Sequence, residues 1–385
     1  MIKKNHIMYW SPSLVNIATN KAVINSAISL KKYEKIYDCT LLNFFGEHNM
    51  SREEIEKNGV KLQNCFSNTI SNFLPRHGKI KSRISFIFMV LFSFFPLKKT
   101  IKKQKPDYLI IHLLTSLPLF LLLIFNFKTK FILRISGLPK LNFLRKKLWQ
   151  LAFKRIYCVT CPTEATMNYL KSLNIIEEKK LKLLHDPIIN VSKYSKKNLK
   201  IKDFKLNFKS FYLAAGRLTR QKNFLFLCEV FNEILKKYPE EKLLIAGEGE
   251  DKIKLENFIK EYKLENSIFL IGYKKEILKY FSISKGFILS SLWEDPGFVL
   301  IEAAMTRTFI LSSDCPNGPK EIIEDKKNGI LFKSNDKDFF LKQFKIFKNL
   351  DRKKNKDILL KNLLYAKKFT IFNHFKILSK ILEIN

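Results

Sequence analysis

Cysteine is scarce in this 385-residue chain, and of the six cysteines only Cys158 and Cys161 lie close together. A structural zinc site needs four ligands, and no second closely spaced pair is present to complete one. The cysteines are therefore expected to be small apolar residues of a reduced, cytosolic protein. The opening residues, MIKKNHIMYWSPS, also lack the apolar stretch of a signal peptide, so export is not expected.

Acidic residues are half as numerous as basic ones: 35 Asp and Glu stand against 70 Lys and Arg, a formal net charge of +35. Such a charge attracts phosphates, anionic lipid surfaces or nucleic acid. The lysines are spread along the whole chain, however, and no zinc-finger spacing, RNP-like aromatic strand or basic recognition helix is present. Nucleic acid is therefore not an expected partner.

Apolar runs long enough to predict a membrane-spanning helix are also lacking. Residues 84–97, ISFIFMVLFSFFPL, are too few to cross a bilayer, and 108–127 contains Pro118 in a strand-then-helix pattern. The first run is followed by KKTIKKQK, an arrangement that holds an apolar helix face against anionic headgroups. A buried helix with a solvated end fits the same residues, so 84–105 is open to both interpretations.

Short apolar strands alternate regularly with amphipathic helices. Six strands are predicted in the first half, at HIMYW, DCTLLNFF, DYLIIHLL, KFILRIS, YCVTCPT and KLKLLHD, and six in the second, at FYLAAG, KLLIAGEG, SIFLIG, GFILSS, FILSS and GILF. Strands separated by helices imply βαβ units in parallel sheets. We therefore predict an α/β protein with two doubly wound domains and a ligand at the carboxyl ends of the strands.

The predicted domain boundaries follow a basic, weakly periodic stretch at 192–210, which we interpret as a linker. The first domain is expected at 1–195 and the second at 208–365. Helices are predicted around 336–349 and 356–382. The last residues, 366–385, form a helix for which packing against the first domain is expected.

The segment AAGRLTRQKNF (214–224) follows a predicted strand that ends at Gly216. Glycine lets the backbone turn tightly, and the forked guanidinium of Arg217 and the ammonium of Lys222 can both reach one diphosphate. The segment therefore predicts a pyrophosphate site. A solvated basic loop is the alternative in so lysine-rich a chain.

The segment LWEDPGFVLIEAAM (292–305) follows the predicted strand GFILSS and indicates a helix that begins near Gly297. The N–H groups of Gly297, Phe298 and Val299 would then point at an anion. Glu294 lies before this helix and Glu302 about a turn and a half inside it, where carboxylates can accept hydrogen bonds from sugar hydroxyls. The alternative is that Glu294 caps the helix and Glu302 pairs with a lysine.

Together these residues form the pattern GR-x4-K followed by E-x7-E, at Gly216-Arg217, Lys222, Glu294 and Glu302. The pattern resembles that of the retaining nucleotide-sugar glycosyltransferases of the GT-B fold, in the large group called family 4. The likeness covers 205–335 and, more weakly, the N-terminal half. It implies two Rossmann-like domains facing a central cleft, the first binding the acceptor and the second the donor.

The resemblance implies a role for each residue of the pattern. Arg217 and Lys222 would bind the donor diphosphate and, with Glu294 near the reacting carbon, form the catalytic set. Glu302 would hold the ribose, and Gly216 with the helix start at Gly297, Phe298 and Val299 would complete the donor site. Since these groups can neutralise the leaving diphosphate, neither a metal nor another cofactor is expected.

Two more segments, 312–332 and 134–150, resemble bacterial transferases that build surface polysaccharides such as lipopolysaccharide, capsule and O-antigen. Several of these add a hexose or N-acetylhexosamine to a lipid-linked acceptor. The likeness implies a UDP-sugar donor and a glycan or lipid-linked glycan acceptor. It also implies a cytoplasmic protein in peripheral contact with the inner face of the cytoplasmic membrane.

The sequence departs from many relatives on the acceptor side. The first loop, SPSLVNIAT, lacks their Gly-Gly pair, and the middle strand runs into RISGLP where they carry a histidine. Acceptor-side residues are therefore not assigned. His112 follows a strand in LIIHLL and could face the cleft, but it is interpreted as a satisfied core residue. The motif Asp336-Lys337-Asp338 is expected to cap a helix rather than bind metal, and GEGE (247–250) to form a tight turn.

Two other functions fit parts of the same sequence. One is a basic, non-catalytic protein that binds a membrane surface or nucleic acid. The other is a nucleotide-sugar epimerase of the same fold, which needs paired acid–base groups at a sugar carbon. Release of a free nucleoside diphosphate when an acceptor is added distinguishes transfer from epimerisation.

Overall fold

The computed structural model describes residues 4–14, 18–66, 79–135, 137–139, 141–194 and 210–383. Most of the linker predicted at 192–210 therefore lies outside the described residues. The chain divides into two compact units, one formed by Met1–Ile188 with Ile371–Asn385 and the other by Ile189–Thr370.

The first unit is built on a parallel sheet of seven strands in the order β3-β2-β1-β4-β5-β6-β7. These strands are β1 (Asn5–Trp10), β2 (Tyr37–Asn43), β3 (Lys61–Asn64), β4 (Tyr108–Ile111), β5 (Lys130–Arg134), β6 (Cys158–Cys161) and β7 (Leu181–Leu183). Successive side chains of a strand point to opposite faces, so Met8 and Trp10 enter one apolar core and Ile7 and Tyr9 the other. Both faces of the sheet are covered.

The helices of the first unit complete these two cores. They are α1 (Ala18–Tyr33), α2 (Arg52–Lys57), α3 (Lys79–Gln104), α4 (Ser116–Ile124), α5 (Phe143–Arg155), α6 (Glu164–Ser172) and, after the second unit, the last helix (Ile371–Glu383). Helices α3, α4 and α5 supply one core, while α1 and the last helix pack together in the other. Asn142 and Thr163 begin α5 and α6 by accepting a hydrogen bond from a first-turn amide.

The second unit repeats the arrangement with six parallel strands in the order β10-β9-β8-β11-β12-β13. Its strands are β8 (Tyr212–Ala215), β9 (Leu243–Ala246), β10 (Ile268–Gly272), β11 (Gly286–Leu289), β12 (Ile310–Ser313) and β13 (Ile330–Phe332). Its helices are α7 (Phe224–Lys237), α8 (Lys252–Glu261), α9 (Ile277–Ile283), α10 (Phe298–Met305), α11 (Pro319–Ile322), α12 (Lys337–Lys348) and α13 (Lys356–Ala366). The last helix of the chain is therefore α14.

The structure confirms the prediction of two doubly wound Rossmann-like domains of the GT-B fold. All twelve predicted strands are present, and the structure adds β3, a polar strand at the edge of its sheet. The prediction of a single helix at 356–382 is wrong, because α13 ends at Ala366 and α14 begins at Ile371. Between them, the amide of Ile189 donates to the carbonyl of Phe369 at 3.0 Å, and this tertiary contact interrupts the helix.

Candidate active site

The predicted donor residues lie at the carboxyl ends of β8 and β11, which are neighbours in the second sheet. The chain order reverses between these two strands, since β9 and β10 lie on one side of β8 while β12 and β13 lie beyond β11. In doubly wound sheets the loops at such a switch point diverge and leave a crevice for a ligand. The loops that follow β8 and β11 carry Gly216–Lys222 and Ser290–Gly297.

Two glycines allow the loop after β8 to adopt its conformation. Gly216 has φ +155°, and a Cβ there would lie 2.8 Å from Cε of Lys222, so the lysine side chain runs past the position where a larger residue would stand. A Cβ on Gly247 would lie 1.8 Å from the Gly216 carbonyl oxygen. The segment after β9 therefore packs directly on the turn after β8. A turn follows at 249–252, where the Lys252 amide donates to the Gly249 carbonyl at 3.2 Å, so it overlaps only the end of the GEGE run.

Lys222 and Glu294 form an ion pair, with Nζ and Oε1 2.5 Å apart. The Glu294 side chain is only 4% exposed, and its Oε1 also accepts a hydrogen bond from the Ser291 hydroxyl at 2.6 Å. Two donors therefore neutralise and orient one carboxylate oxygen. The second oxygen, Oε2, accepts no hydrogen bond from any residue within the described ranges, which leaves it able to accept one from a ligand.

Several residues that the sequence did not single out hold these two loops together. The Ser290 hydroxyl donates to the Lys222 carbonyl at 2.8 Å, and the Leu292 amide donates to the Gln221 carbonyl at 2.8 Å. Ser313, at the end of β12, donates to the Ser291 carbonyl at 2.7 Å. Paired serines at the ends of β11 and β12 are the sequence signal for this support.

The loop that carries Glu294 is also fixed from the segment after β12. The Glu294 amide donates to the carbonyl of Pro316 at 3.1 Å, and the Asn317 side-chain amide donates to the Asp295 carboxylate. Cys315 is buried beside this loop, and burial raises the pKa of its thiol to about 12. The thiol therefore stays protonated and serves as packing.

Helix α10 begins directly after Gly297, which has φ +90° and contributes no capping side chain. The first-turn amides of such a helix have no intrahelical acceptor and carry the positive end of the helix dipole. Gly297, Phe298 and Val299 thus lie at a helix start that follows the Glu294 loop. Glu302 is the fifth residue of α10, one turn in, and it is half-buried. The alternative interpretation, in which Glu294 caps this helix, is not supported, since the Glu294 carboxylate instead pairs with Lys222 and Ser291.

The environment of Glu302 includes Tyr194, at the end of a short 3-10 helix, Val191–Tyr194. Burial, with a contribution from the nearby Glu302 carboxylate, raises the pKa of the Tyr194 phenol. The phenol therefore stays protonated, next to the residue expected to hold a ribose.

Arg217 differs from Lys222 in its surroundings. Its side chain is exposed and has no hydrogen bond or ion pair with any residue that the structure describes. Lys222 is already paired with Glu294, so Arg217 is the cation of the motif whose charge has no partner in the described chain. The structure thus brings Gly216, Lys222 and Glu294 into contact, and their roles toward a donor stay predictions.

Among the described residues, no group of three or more His, Cys, Asp or Glu is placed to hold a metal ion. Asp336 instead caps α12, because its carboxylate accepts the Phe339 amide at 3.0 Å. His112 is buried in the first unit, as predicted, but the expectation that its ring is satisfied by hydrogen bonds is wrong. Neither of its ring nitrogens has a hydrogen-bond partner in the described chain, and burial lowers its pKa well below the usual value.

Residues 196–361 match the family model "Glycosyl transferases group 1". An uncharacterized glycosyltransferase of Methanocaldococcus jannaschii is 30% identical over 312 residues, which cover 76% of this chain and 73% of the relative. The N-acetylgalactosamine-N,N'-diacetylbacillosaminyl-diphospho-undecaprenol 4-alpha-N-acetylgalactosaminyltransferase of Campylobacter jejuni is 25% identical over 217 residues, 54% of this chain and 57% of that protein.

Solved structures support the same fold. The crystal structure of Anabaena HepE in complex with UDP and glucose superposes with a TM-score of 0.70 and 15% sequence identity, covering 98% of this chain and 99% of HepE. At this identity the likeness concerns the fold alone. The family match, the archaeal relative and the doubly wound architecture lead to one conclusion: the chain belongs to the glycosyl transferases group 1 family and is a glycosyltransferase.

Proposed function

We propose that the protein transfers a hexose or N-acetylhexosamine from a UDP-sugar to a glycan or lipid-linked glycan, with retention of anomeric configuration, during the synthesis of a bacterial surface polysaccharide. The observation that carries the proposal is the ion pair between Lys222 and the buried Glu294 at the switch point of the second sheet, with the exposed Arg217 on the same loop as Lys222.

The charges at this site suit a leaving nucleoside diphosphate. As the sugar–phosphate bond breaks, negative charge develops on the diphosphate, and preorganised cations and amides stabilise it. Arg217 has unused guanidinium donors, Lys222 follows it by five residues on the same loop, and the first turn of α10 adds the dipole of a helix start. We propose that these groups act without a metal ion.

Glu294 suits the sugar rather than the phosphates, since a carboxylate repels a diphosphate but accepts hydrogen bonds from hydroxyls. Lys222 and Ser291 hold Oε1, and Oε2 is the oxygen that would receive a sugar hydroxyl close to the reacting carbon. Glu302, one turn into α10, would accept the ribose hydroxyls.

The names of similar proteins support the substrate class. The Campylobacter jejuni relative is named for transfer of N-acetylgalactosamine to a diphospho-undecaprenol-linked sugar with an α-linkage, and HepE is described with UDP and glucose. Because the sugars of UDP-hexoses are themselves α-linked, an α-linked product corresponds to retention. We propose that this protein works on a related lipid-linked acceptor at the cytoplasmic face of the membrane.

Incubation of the protein with UDP-sugars, a lipid-linked acceptor and excess EDTA tests the proposal. NMR gives the anomeric configuration of the first-formed product, and a separate assay measures UDP release. We expect an α-linked product and UDP release in step with it. Lys222→Ala should lower turnover about 10²–10³-fold, whereas Lys260→Ala, an exposed lysine on α8, should have no effect. A β-linked product from an α-linked donor, or sugar conversion without UDP release, would refute the proposal.

A further inference from the structure

Helix α3 presents an apolar face to solvent. Seven apolar residues are exposed in the described part of α3, and six of them follow a helical spacing on one side of the helix: Ile84, Ile87, Phe88, Leu91, Phe92 and Phe95. The seventh, Phe86, lies near the start of the helix on the other side. Leu91 and Phe95, near the middle of this stripe, are 63% and 72% exposed. We call these six residues the apolar stripe.

The opposite side of α3 is buried except at Phe86 and is the more polar of the two. Met89, Leu97 and Ile101 enter the core of the first unit, but Ser85 and Ser93 are also buried there. A helix of a water-soluble protein normally has its polar face outside. In α3 this polarity is inverted, which is the arrangement expected when the outer face meets an apolar medium.

Four lysines continue along the same helix after the apolar stripe: Lys98, Lys99, Lys102 and Lys103. Lys98, Lys99 and Lys102 follow Ile84 by 14, 15 and 18 residues, so they lie on the side of the stripe. None of the four has an ion-pair partner in the described part of the chain, and residues 79–104 contain no Asp or Glu. The ammonium groups of Lys98 and Lys102 lie over the Phe125 ring, 3.9 and 5.3 Å from its centroid, but no carboxylate neutralises the four charges.

The lysines border an open groove whose other wall is formed by Gln63, Asn64 and Cys65 at the end of β3. The groove also contains Phe95, so its apolar end adjoins the apolar stripe. An anionic headgroup in the groove would meet ammonium groups and side-chain amides, while its acyl chains would lie against the stripe.

Neighbouring elements extend the apolar surface. The Phe94 ring contacts Phe120 of α4 and Phe125, at centroid distances of 6.3 and 6.5 Å. Phe120 is 46% exposed and Ile124, at the end of α4, is 52% exposed. The surface is therefore broader than a single helix.

We propose that the apolar stripe and the four lysines dock the first unit on an anionic lipid bilayer, with α3 lying in the interface. Ile84–Gln104 is long and apolar enough to cross a membrane, but its buried face holds it to the core of the first unit. Uncompensated lysines beside exposed phenylalanines match anionic headgroups above acyl chains. This proposal does not depend on the sugar-transfer reaction.

Flotation of the full-length protein with vesicles of phosphatidylcholine, alone or with phosphatidylglycerol, tests the proposal. We expect strong binding only when phosphatidylglycerol is present. Leu91→Gln with Phe95→Gln should lower binding at least tenfold at both low and high salt. Replacing the four lysines by glutamine should lower it about fivefold per charge, and only at low salt.

Matched controls use exposed residues outside this surface. The double variant Ile253→Gln with Leu364→Gln removes two exposed apolar side chains of the second unit. Replacing four lysines by glutamine removes four exposed charges, at Lys254, Lys260, Lys353 and Lys354. Both controls should bind vesicles as the unmodified protein does. Circular dichroism and thermal unfolding verify that each variant is folded.

A second readout reports insertion itself. Phe95→Trp places a fluorophore on the stripe, and its emission should shift to the blue and be quenched by lipids brominated in the acyl chain. Absence of vesicle binding, or binding that the Leu91/Phe95 double variant leaves unchanged, would overturn the proposal. It would also be overturned if that variant converted a dimer to a monomer without changing lipid binding, since the face would then join two copies.

Discussion

At the scale of single residues, the main feature of the candidate site is one carboxylate held by two donors. Lys222 and Ser291 both contact Oε1 of Glu294, so the position of Oε2 is set before any ligand arrives. Such preorganisation is valuable in catalysis because the site need not rearrange as charge develops.

Glu294→Gln tests whether this charge acts on the sugar. The amide has nearly the same shape, but it removes the negative charge and the ion pair with Lys222. We expect turnover to fall about 10²–10³-fold while affinity for the free nucleotide changes little. Steady-state kinetics and calorimetric titration measure the two effects. An equal loss in both would instead place Glu294 at the nucleotide.

Gly216→Ala tests the close approach of Lys222. The new Cβ would lie 2.8 Å from Cε of Lys222, so the lysine must move away from Glu294. Gly59→Ala is the matched control, because Gly59 also has a positive φ, +73°, but has only the Lys31 side chain 3.4 Å away. Both variants should lose about 1–2 kcal/mol of unfolding free energy, but only Gly216→Ala should lower turnover. Equal activities would show that the position of Lys222 is unimportant.

The sequence predicted the charged residues of this site but not what holds them. Lys222 and Glu294 stand out because charges at the ends of apolar strands need an explanation. Ser291 and Gly247 do not, since serine and glycine are common in any loop after a strand. Their roles arise from contacts between segments far apart in the chain, as when Gly247 packs on Gly216.

At the scale of elements, α14 returns the end of the chain to the first unit. Phe375, Leu378 and Ile381 enter a core shared with α1. His374 fixes the contact, because one ring nitrogen lies 2.8 Å from the Ser26 hydroxyl and the other 2.8 Å from the His185 carbonyl. With the carbonyl accepting from one nitrogen, the other nitrogen accepts from Ser26, and the ring is neutral.

Burial lowers the pKa of His374 to about 4, below the usual value of 6.5 for a histidine. The unfolded chain therefore binds a proton more readily than the folded one, and stability should fall as the pH drops from 6.5 toward 4. His374→Gln removes this titration, so it should lower stability at pH 7 but reduce the further loss at pH 5. Urea unfolding at both pH values measures this. An unchanged pH dependence would contradict the assignment, and Phe372→Gln, on the exposed side of α14, is the control.

Elements with strong patterns were predictable, and those decided by tertiary contact were not. The buried strands can be predicted because they are apolar runs in the sequence. The strand β3, KLQN, is polar and pairs with only one neighbour, so no such run indicates it. The residues between α13 and α14 include neither glycine nor proline. The helix ends there because Thr370 and Phe369 pair with Ile189, a contact with no local sequence signal.

At the scale of the whole molecule, the net charge of +35 makes binding to any polyanion expected. Binding to DNA should therefore be independent of base sequence and should weaken at least tenfold between 50 and 200 mM salt. Fluorescence anisotropy with two unrelated duplexes measures this. Lys222→Ala should weaken DNA binding only as much as the removal of any other single lysine charge. Sequence-specific binding that persists in high salt would instead favour a nucleic-acid-binding protein.

We propose above all that the switch point of the second sheet binds the donor nucleotide, with Glu302 accepting hydrogen bonds from the ribose. Calorimetric titration of the full-length protein with UDP, GDP and ADP in excess EDTA tests it most directly. We predict saturable binding of UDP, weakened roughly 10–100-fold by Glu302→Ala through the loss of charged hydrogen bonds, and unaffected by Glu256→Ala on the exposed side of α8. Absence of saturable binding by any of the three nucleotides, or equal affinity in the Glu302 variant, would contradict the account.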